Sequence, residues 1–300
     1  MADAVLLACD WGTTQLRAWT LDAQGGVVAE HDFPLGVSKL SPGQAPELFE
    51  TQVRPALGAE RLPAILCGMV GSTLGWTVAP YADCPATALD LANRMTRVTD
   101  NAWIVPGLRC DGIAGARDVM RGEETQVFGW LAAQPERAKG RHLICHPGTH
   151  AKWILIEDGR IVRFVTAMTG ELFAVLSRHS VLKSDAAADD DAAFAAGLEA
   201  AGDGGALAAR LFTARARVVG GEAEPRSTPS YLSGLLIGAE VASVPGLLGE
   251  GVRDVVLLGD PHLCHLYRRA LERRGVETQT FDGSGAARAG LFALKFGSHA

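Results

Sequence analysis

Val5-Leu6-Leu7-Ala8-Cys9-Asp10-Trp11-Gly12-Thr13-Thr14, followed by Leu16-Arg17-Ala18-Trp19, decides the fold, because the chain repeats the same plan in mid-sequence. The second copy reads His142-Leu143-Ile144-Cys145-His146-Pro147-Gly148-Thr149-His150, followed by Lys152-Trp153-Ile154-Leu155-Ile156. A shift of 136 positions lays Cys9 on Cys145, Gly12 on Gly148 and Thr13 on Thr149. Each copy is an apolar strand, a glycine turn and a second apolar strand. Each then runs into a further turn, Asp22-Ala23-Gln24-Gly25-Gly26 or Glu157-Asp158-Gly159. Two Gly-Thr hairpin tips predict two related domains facing each other across a cleft. A Gly-Thr tip from each side is one way to hold the phosphates of a nucleotide.

Outward from the first hairpin, strands are expected at Val5–Cys9, Gln15–Leu21 and Val27–Phe33, and a helix over Pro46–Leu57. Ala64-Ile65-Leu66-Cys67-Gly68 reads as a buried parallel strand ending in glycine, and Trp103-Ile104-Val105-Pro106-Gly107 as another short strand. A helix follows over Glu123–Ala133. In the second half, strands are expected at 142–146, Lys152–Ile156 and Ile161–Thr166, with helices over Ala186–Ala201, Gly205–Val218 and Pro229–Val244. Asp254–Gly259 repeats the strand-to-glycine pattern; a helix over His262–Arg274, a strand at Thr278–Phe281 and a helix over Ala286–Phe296 complete the order. The Pro-, Gly- and charge-containing stretch Gln134–Arg141 is the boundary, giving domains at 1–136 and 137–300, with the final helix free to pack back on the first.

Composition narrows the class. The 300 residues suffice for two cores, and 48% apolar with 21% charged residues is ordinary for a globular protein. A net charge of −6 and the lack of a basic, aromatic-interleaved run argue against a nucleic-acid partner. Six scattered cysteines form no Cys-x-x-Cys pair, which reads against a zinc ribbon or a redox dithiol. Met1-Ala2-Asp3-Ala4 carries no basic n-region, and the longest apolar run, Leu232–Leu248, is interrupted by Glu240 and Pro245. The expectation is an acidic cytoplasmic protein without a membrane partner; a monomer and a homodimer both stay open.

The chemistry concentrates at a few places. Asp10 at a strand end is placed to hold Mg²⁺ through its waters, while Gly12, Thr13 and Thr14 offer a tight tip and hydroxyl donors for phosphate. In the second copy, His146 replaces the acid and His150 the second Thr; Gly148, Thr149, His150 and Lys152 can meet the same phosphates. His146-x-x-x-His150 has a zinc-like spacing, but Pro147 and Gly148 deny it the helix face that spacing serves. Met120-Arg121-Gly122-Glu123-Glu124-Thr125-Gln126 opens a helix, where a carboxylate could deprotonate a hydroxyl and Arg121 could pair with a carboxylate or phosphate; a solvated acidic helix start is the alternative. Gly68-Met69-Val70-Gly71-Ser72-Thr73 with Trp76 follows a strand end, where ligands of open α/β sheets bind, or is a structural turn. Gly259-Asp260-Pro261 is its counterpart in the second half and a place for a nucleotide base. Gly283-Ser284-Gly285 imitates a dinucleotide fingerprint but has no βαβ unit after it.

These phrases, with Val78-Ala79-Pro80-Tyr81, Val105-Pro106-Gly107-Leu108, Pro147-Gly148-Thr149-His150-Ala151-Lys152-Trp153, Met168-Thr169-Gly170-Glu171-Leu172 and Leu232–Ser243, run in order through nearly the whole chain. The chain resembles the actin/hexokinase/Hsp70 superfamily and, within it, the 2-dehydro-3-deoxygalactonokinase family. The resemblance implies an α/β fold of two ribonuclease H-like domains with a central ATP cleft, and ATP and Mg²⁺ as cofactors. It implies transfer of phosphate to the 6-hydroxyl of 2-dehydro-3-deoxy-D-galactonate. The sugar-acid site falls in the first domain and the base site, near Gly259, in the second. The resemblance makes Glu124-Thr125 the counterpart of a catalytic Asp-Thr, with Glu123 as second choice. Arg17 or Lys152 would neutralise the transferred group. Arg121 would meet the substrate carboxylate, and Gly68, Met69, Ser72, Trp76, Thr169 and Glu171 would line the pocket. His146 stands where such families often carry a small or apolar residue.

Overall fold

The computed structural model describes residues 3–249 and 254–296, so Met1 and Ala2 of the N-terminal reading and residues 297–300 of the second domain lie outside the described residues. The chain forms two compact units. The first comprises the residues up to Arg141, a short return at Ile156–Arg163, and the chain from Asp282 onward; the second comprises His142–Leu155 and Phe164–Phe281.

In the first unit the strands are β1 (Leu6–Trp11), β2 (Leu16–Leu21), β3 (Val27–Phe33), β4 (Ala64–Cys67), β5 (Tyr81–Asp83), β6 (Thr96–Thr99), β7 (Ala102–Ile104), β8 (Gly107–Asp111) and β9 (Arg117–Met120). Six of them form one sheet in the order β3-β2-β1-β4-β7-β6. β1, β2 and β3 are antiparallel neighbours, whereas β4 lies parallel to β1 and β7 parallel to β4. β1 is apolar on both faces because it is central: Leu7, Cys9 and Trp11 pack with Leu16, Leu66, Phe49 and Ile104 on one side. β3 is the edge, and its Glu30, His31 and Asp32 leave that edge charged and exposed.

The second unit repeats the arrangement. β10 (Arg141–His146), β11 (Ala151–Glu157), β12 (Arg160–Ala167), β13 (Asp254–Gly259) and β14 (Glu277–Asp282) pair in the order β12-β11-β10-β13-β14. β13 is parallel to β10, as β4 is to β1. The outer end of the β11–β12 hairpin belongs to the first unit, where Ile161 bridges Ala86 and Arg163 Nε donates to the Asp111 carbonyl at 3.1 Å.

Both units also join two helices through glycines. Glu123–Ala133 packs on Gly283–Phe296 with Gly129 against the Ala286 carbonyl and Gly290 against the Thr125 carbonyl. Asp191–Ala201 packs on Thr228–Ser243 with Gly197 against the Tyr231 carbonyl and Gly234 against the Phe194 carbonyl. A Cβ at any of the four would overlap backbone of the facing helix, so the helices approach only because no side chain stands between them. The segment Pro225–Leu248 is long and apolar enough by length and composition to cross a membrane. Its helix instead lies in the second unit's core, with Leu232, Leu235 and Leu236 buried.

Four local expectations need correction. The strand expected over Trp103–Gly107 is two strands: β7 in the large sheet and β8 in a separate β5-β8-β9 sheet. Pro106 stands between them and has no N–H for a ladder. The helix expected from Ala186 starts at Asp191, where the Asp190 side chain accepts from Ala193 N. The helix expected over Gly205–Val218 is Leu207–Leu211 and Thr213–Val219, and at the break Thr213 Oγ1 donates to the Arg210 carbonyl at 2.6 Å. Thr169–His179, where no element is expected from sequence, is a helix; Thr169-Gly170 looks like a turn in sequence but forms the helix's first turn.

Candidate active site

In the first unit, Gly12 N–H closes the first hairpin on the Gln15 carbonyl at 3.0 Å. The Gly12 and Thr13 carbonyls accept from Val37 and Ser38 N–H, so the tip is braced from beneath while Thr13 and Thr14 stay exposed. Asp10, half-buried at the end of β1, faces Arg17 across β2 and Cys67 across β4. Burial pushes its carboxyl up to about 6; Arg17 and the Cys67 thiol, 3.8 Å from Oδ1, oppose that, and Glu123 adds to it. A half-buried carboxylate next to a second acid is where a cation relieves the charge, so Asp10 fits Mg²⁺. Among the described residues no group of three His, Cys, Asp or Glu side chains could hold a metal ion. Asp10 would therefore hold the ion through its waters.

The two glutamates differ. Gly122, at φ 110°, turns the chain into the Glu123–Ala133 helix, and its N–H donates to both Glu124 oxygens at 2.9 and 2.8 Å. Glu124 is 0% exposed, and burial, with repulsion from Glu123, pushes it up to about 8. Glu123 is only partly buried and accepts from Arg121 N at 3.0 Å. The expected base, Glu124, is buried, with its carboxyl turned to Gly122 N–H and to the Thr125 hydroxyl at 3.4 Å. The carboxylate with open surface, and with an electrostatic effect on Asp10, is Glu123.

Arg121 is buried over Tyr81 at 4.4 Å, with Nη2 donating to the Ala79 carbonyl at 2.8 Å. Among the described residues its Nε and Nη1 find no hydrogen-bond partner, and Nη1 lies beneath Gly71. The guanidinium expected to touch a substrate carboxylate is therefore enclosed under the Gly68–Ser72 loop, which it supports. In that loop, Gly68 (φ 89°) is buried against Asp10 and Trp11, Met69 and Ser72 are partly exposed, and Trp76 is half-buried against Phe49.

In the second unit, Gly148, Thr149 and His150 form the counterpart tip, with Thr149 and His150 exposed. The tip rests on the start of the Thr169–His179 helix: Gly170 abuts the Gly148 carbonyl and Glu171 N donates to the Thr149 carbonyl at 2.9 Å. His150 Nε2 and Glu171 Oε2 are 2.5 Å apart, so Glu171 serves the tip. Lys152 is buried, with Nζ donating to Thr166 Oγ1 at 3.0 Å. A 130 Å³ cavity opens beside the tip, lined by Gly148, Thr169, Phe173, Leu236, Leu263 and Tyr267 among others. Gly259 ends β13 next to His146, and Asp260 caps the following helix through Leu263 N at 3.0 Å.

Sequence reasoning missed Cys67, Gly122, Trp153, Glu240 and Tyr267. Glu240 carried a signal, since a lone acid within an apolar helix is rarely buried without partners. Trp153 Nε1 and Tyr267 OH donate to it, each at 2.7 Å.

The sequence profile of the 2-keto-3-deoxy-galactonokinase family matches residues 10–294. The chain is 37% identical over 296 residues to the probable 2-dehydro-3-deoxygalactonokinase of Rhizobium meliloti (strain 1021), covering 95% of each chain. It is 36% identical over 287 residues to the 2-dehydro-3-deoxygalactonokinase of Escherichia coli (strain K12), again covering 95% of each. A crystal structure from Sinorhizobium meliloti assigned to the same activity matches with a TM-score of 0.85 at 36% identity, covering 96% of this chain and 97% of that one. The repeated strand order is that of the actin/hexokinase type of α/β fold. By profile, sequence and fold together, this chain belongs to the 2-keto-3-deoxy-galactonokinase family.

Proposed function

We propose that this sugar-acid kinase moves the γ-phosphoryl group of ATP to the 6-hydroxyl of 2-dehydro-3-deoxy-D-galactonate, releasing ADP and 2-dehydro-3-deoxy-6-phosphogalactonate. The observation that carries the reading is the set Asp10, Arg17, Glu123 and the Gly68–Ser72 loop at the ends of β1 and β4, in a chain whose family match runs from residue 10 to 294. The first unit carries the sugar acid, and the second carries the nucleotide at the 148–150 tip and its cavity. Among the described residues no cysteine is in a disulfide, which suits the reducing cytoplasm, where ATP is supplied.

Phosphoryl transfer asks mainly for positioning and charge neutralisation. In the first unit Thr13 and Thr14 offer hydroxyl donors and Arg17 positive charge for phosphate oxygens; in the second unit Thr149 offers a hydroxyl at the nucleotide tip. Mg²⁺, held by Asp10 through water, would neutralise phosphate oxygens. Glu123 accepts the 6-hydroxyl proton as the new O–P bond forms and the bond to the ADP oxygen breaks. Glu124 and Arg121 hold the turn and the loop that present Glu123 and the sugar.

ADP release with Mg-ATP, measured with the galactonate-derived substrate, its gluconate epimer, galactonate and no sugar, tests the reaction. Stimulation by the first substrate alone is expected; ATP binding without stimulation by any sugar acid would sink the reading. Glu123→Gln should lower kcat by about 10²-fold or more with the KM for ATP unchanged. Near-normal turnover in that variant would move the base elsewhere.

A further inference from the structure

Glu240 is a buried carboxylate that the proposed chemistry does not use. It projects from the Thr228–Ser243 helix and is 4% exposed. Trp153 Nε1, on β11, donates to Oε1 at 2.7 Å; Tyr267 OH, on the Pro261–Glu272 helix, donates to Oε2 at 2.7 Å. The Thr169 hydroxyl, at the start of the helix that carries the 148–150 tip, is a third partner. An ionised carboxylate only accepts, and three donors from three elements converge on it. Two of the three, Thr169 and Tyr267, stand in the wall of the 130 Å³ cavity.

We propose that Glu240 is a positioning residue for the nucleotide: by taking the Tyr267 hydroxyl proton and bonding Thr169, which also bonds Tyr267, it fixes both hydroxyls in the cavity wall with acceptor capacity left for the ligand. The proposal rests on reading this cavity as the nucleotide site. Burial raises the Glu240 carboxyl and is opposed by the same three partners, so the arrangement is a satisfied polar cluster and not an isolated charge. A wall that presents acceptors suits a ligand bearing hydroxyl or amino donors at that point, as a nucleoside does. Replacing Glu240 by Gln keeps the acceptor for Trp153 but sets an NH₂ against the Tyr267 hydroxyl, which must then turn its proton away from residue 240.

The test is titration of the full-length protein with Mg-AMPPNP by calorimetry, beside steady-state kinetics, for Glu240→Gln, Tyr267→Phe and the double variant. Each single variant should raise the nucleotide Kd about tenfold, the loss that one broken hydrogen bond to a charged group produces. The double variant should lose little more than either single one, because both act through one contact. The KM for the sugar acid and kcat at saturating ATP should stay within about twofold, a split that general destabilisation would not give. Tyr267→Phe keeps the ring and decides the matter should Glu240→Gln fail to fold. A nucleotide Kd within twofold of the unaltered protein in folded Tyr267→Phe, or no AMPPNP binding by the unaltered protein, overturns the proposal. Failure of the kinase reading alone looks different: AMPPNP binds and responds to the substitutions, yet no sugar acid stimulates ADP release.

Discussion

At the residue scale, neighbouring glutamates differ in burial, a difference that sequence alone does not disclose. Glu124 is buried, bonded to Gly122 and raised to about 8; Glu123 keeps open surface. The raised pKa has a consequence for stability. Between the ordinary carboxylate value of 4.5 and about 8, the folded chain holds a proton on Glu124 that the unfolded chain has lost. Stability from this group is therefore present below that window and declines as pH rises through it. Glu124→Gln removes the titration while keeping an acceptor for Gly122 N–H. Its melting temperature, relative to the unaltered protein, should be higher at pH 8.5 than at pH 5 by the equivalent of about 2 kcal/mol or more. A difference that does not change with pH would show that Glu124 titrates normally.

At the element scale, the glycine contacts between helices are the most sensitive joints. Gly129→Ala sets a methyl against the Ala286 carbonyl, backbone that cannot turn aside as a side chain could. The expected cost is about 2–3 kcal/mol, read as a lower denaturant midpoint. Alanine at Gly148, which has open space around it, should change the midpoint by under about 0.5 kcal/mol. Equal midpoints for the two variants would refute the packing account. The same elements show what the sequence discloses. The duplicated hairpins, the strand-to-glycine pairs at 64–68 and 254–259 and the helix after Gly122 were legible, because periodicity and glycine placement set them locally. The split at Pro106, the helix starting at Thr169 and the break near Phe212 were not, since long-range pairing and packing decide them. In the site, residue types showed where charge would gather. They did not show that Arg121 lies under Gly71 or that Glu124 is buried, because burial depends on which loop folds over which side chain.

At the scale of the whole molecule, the first unit is assembled from three separate stretches, the last being the Gly283–Phe296 helix. That helix covers the Gly129 face of the Glu123–Ala133 helix and packs on β1. A fragment ending at Arg141 lacks that cover and should show no cooperative thermal transition by circular dichroism, while the full chain does; a sharp transition in the fragment would show that the N-terminal stretch is self-sufficient. The second unit, by contrast, is complete at Phe281. On the ribosome this reverses the usual order of N-terminal-first folding: the unit that begins the chain must wait, open, for its last helix to emerge, and the unit encoded after it is the first that can close.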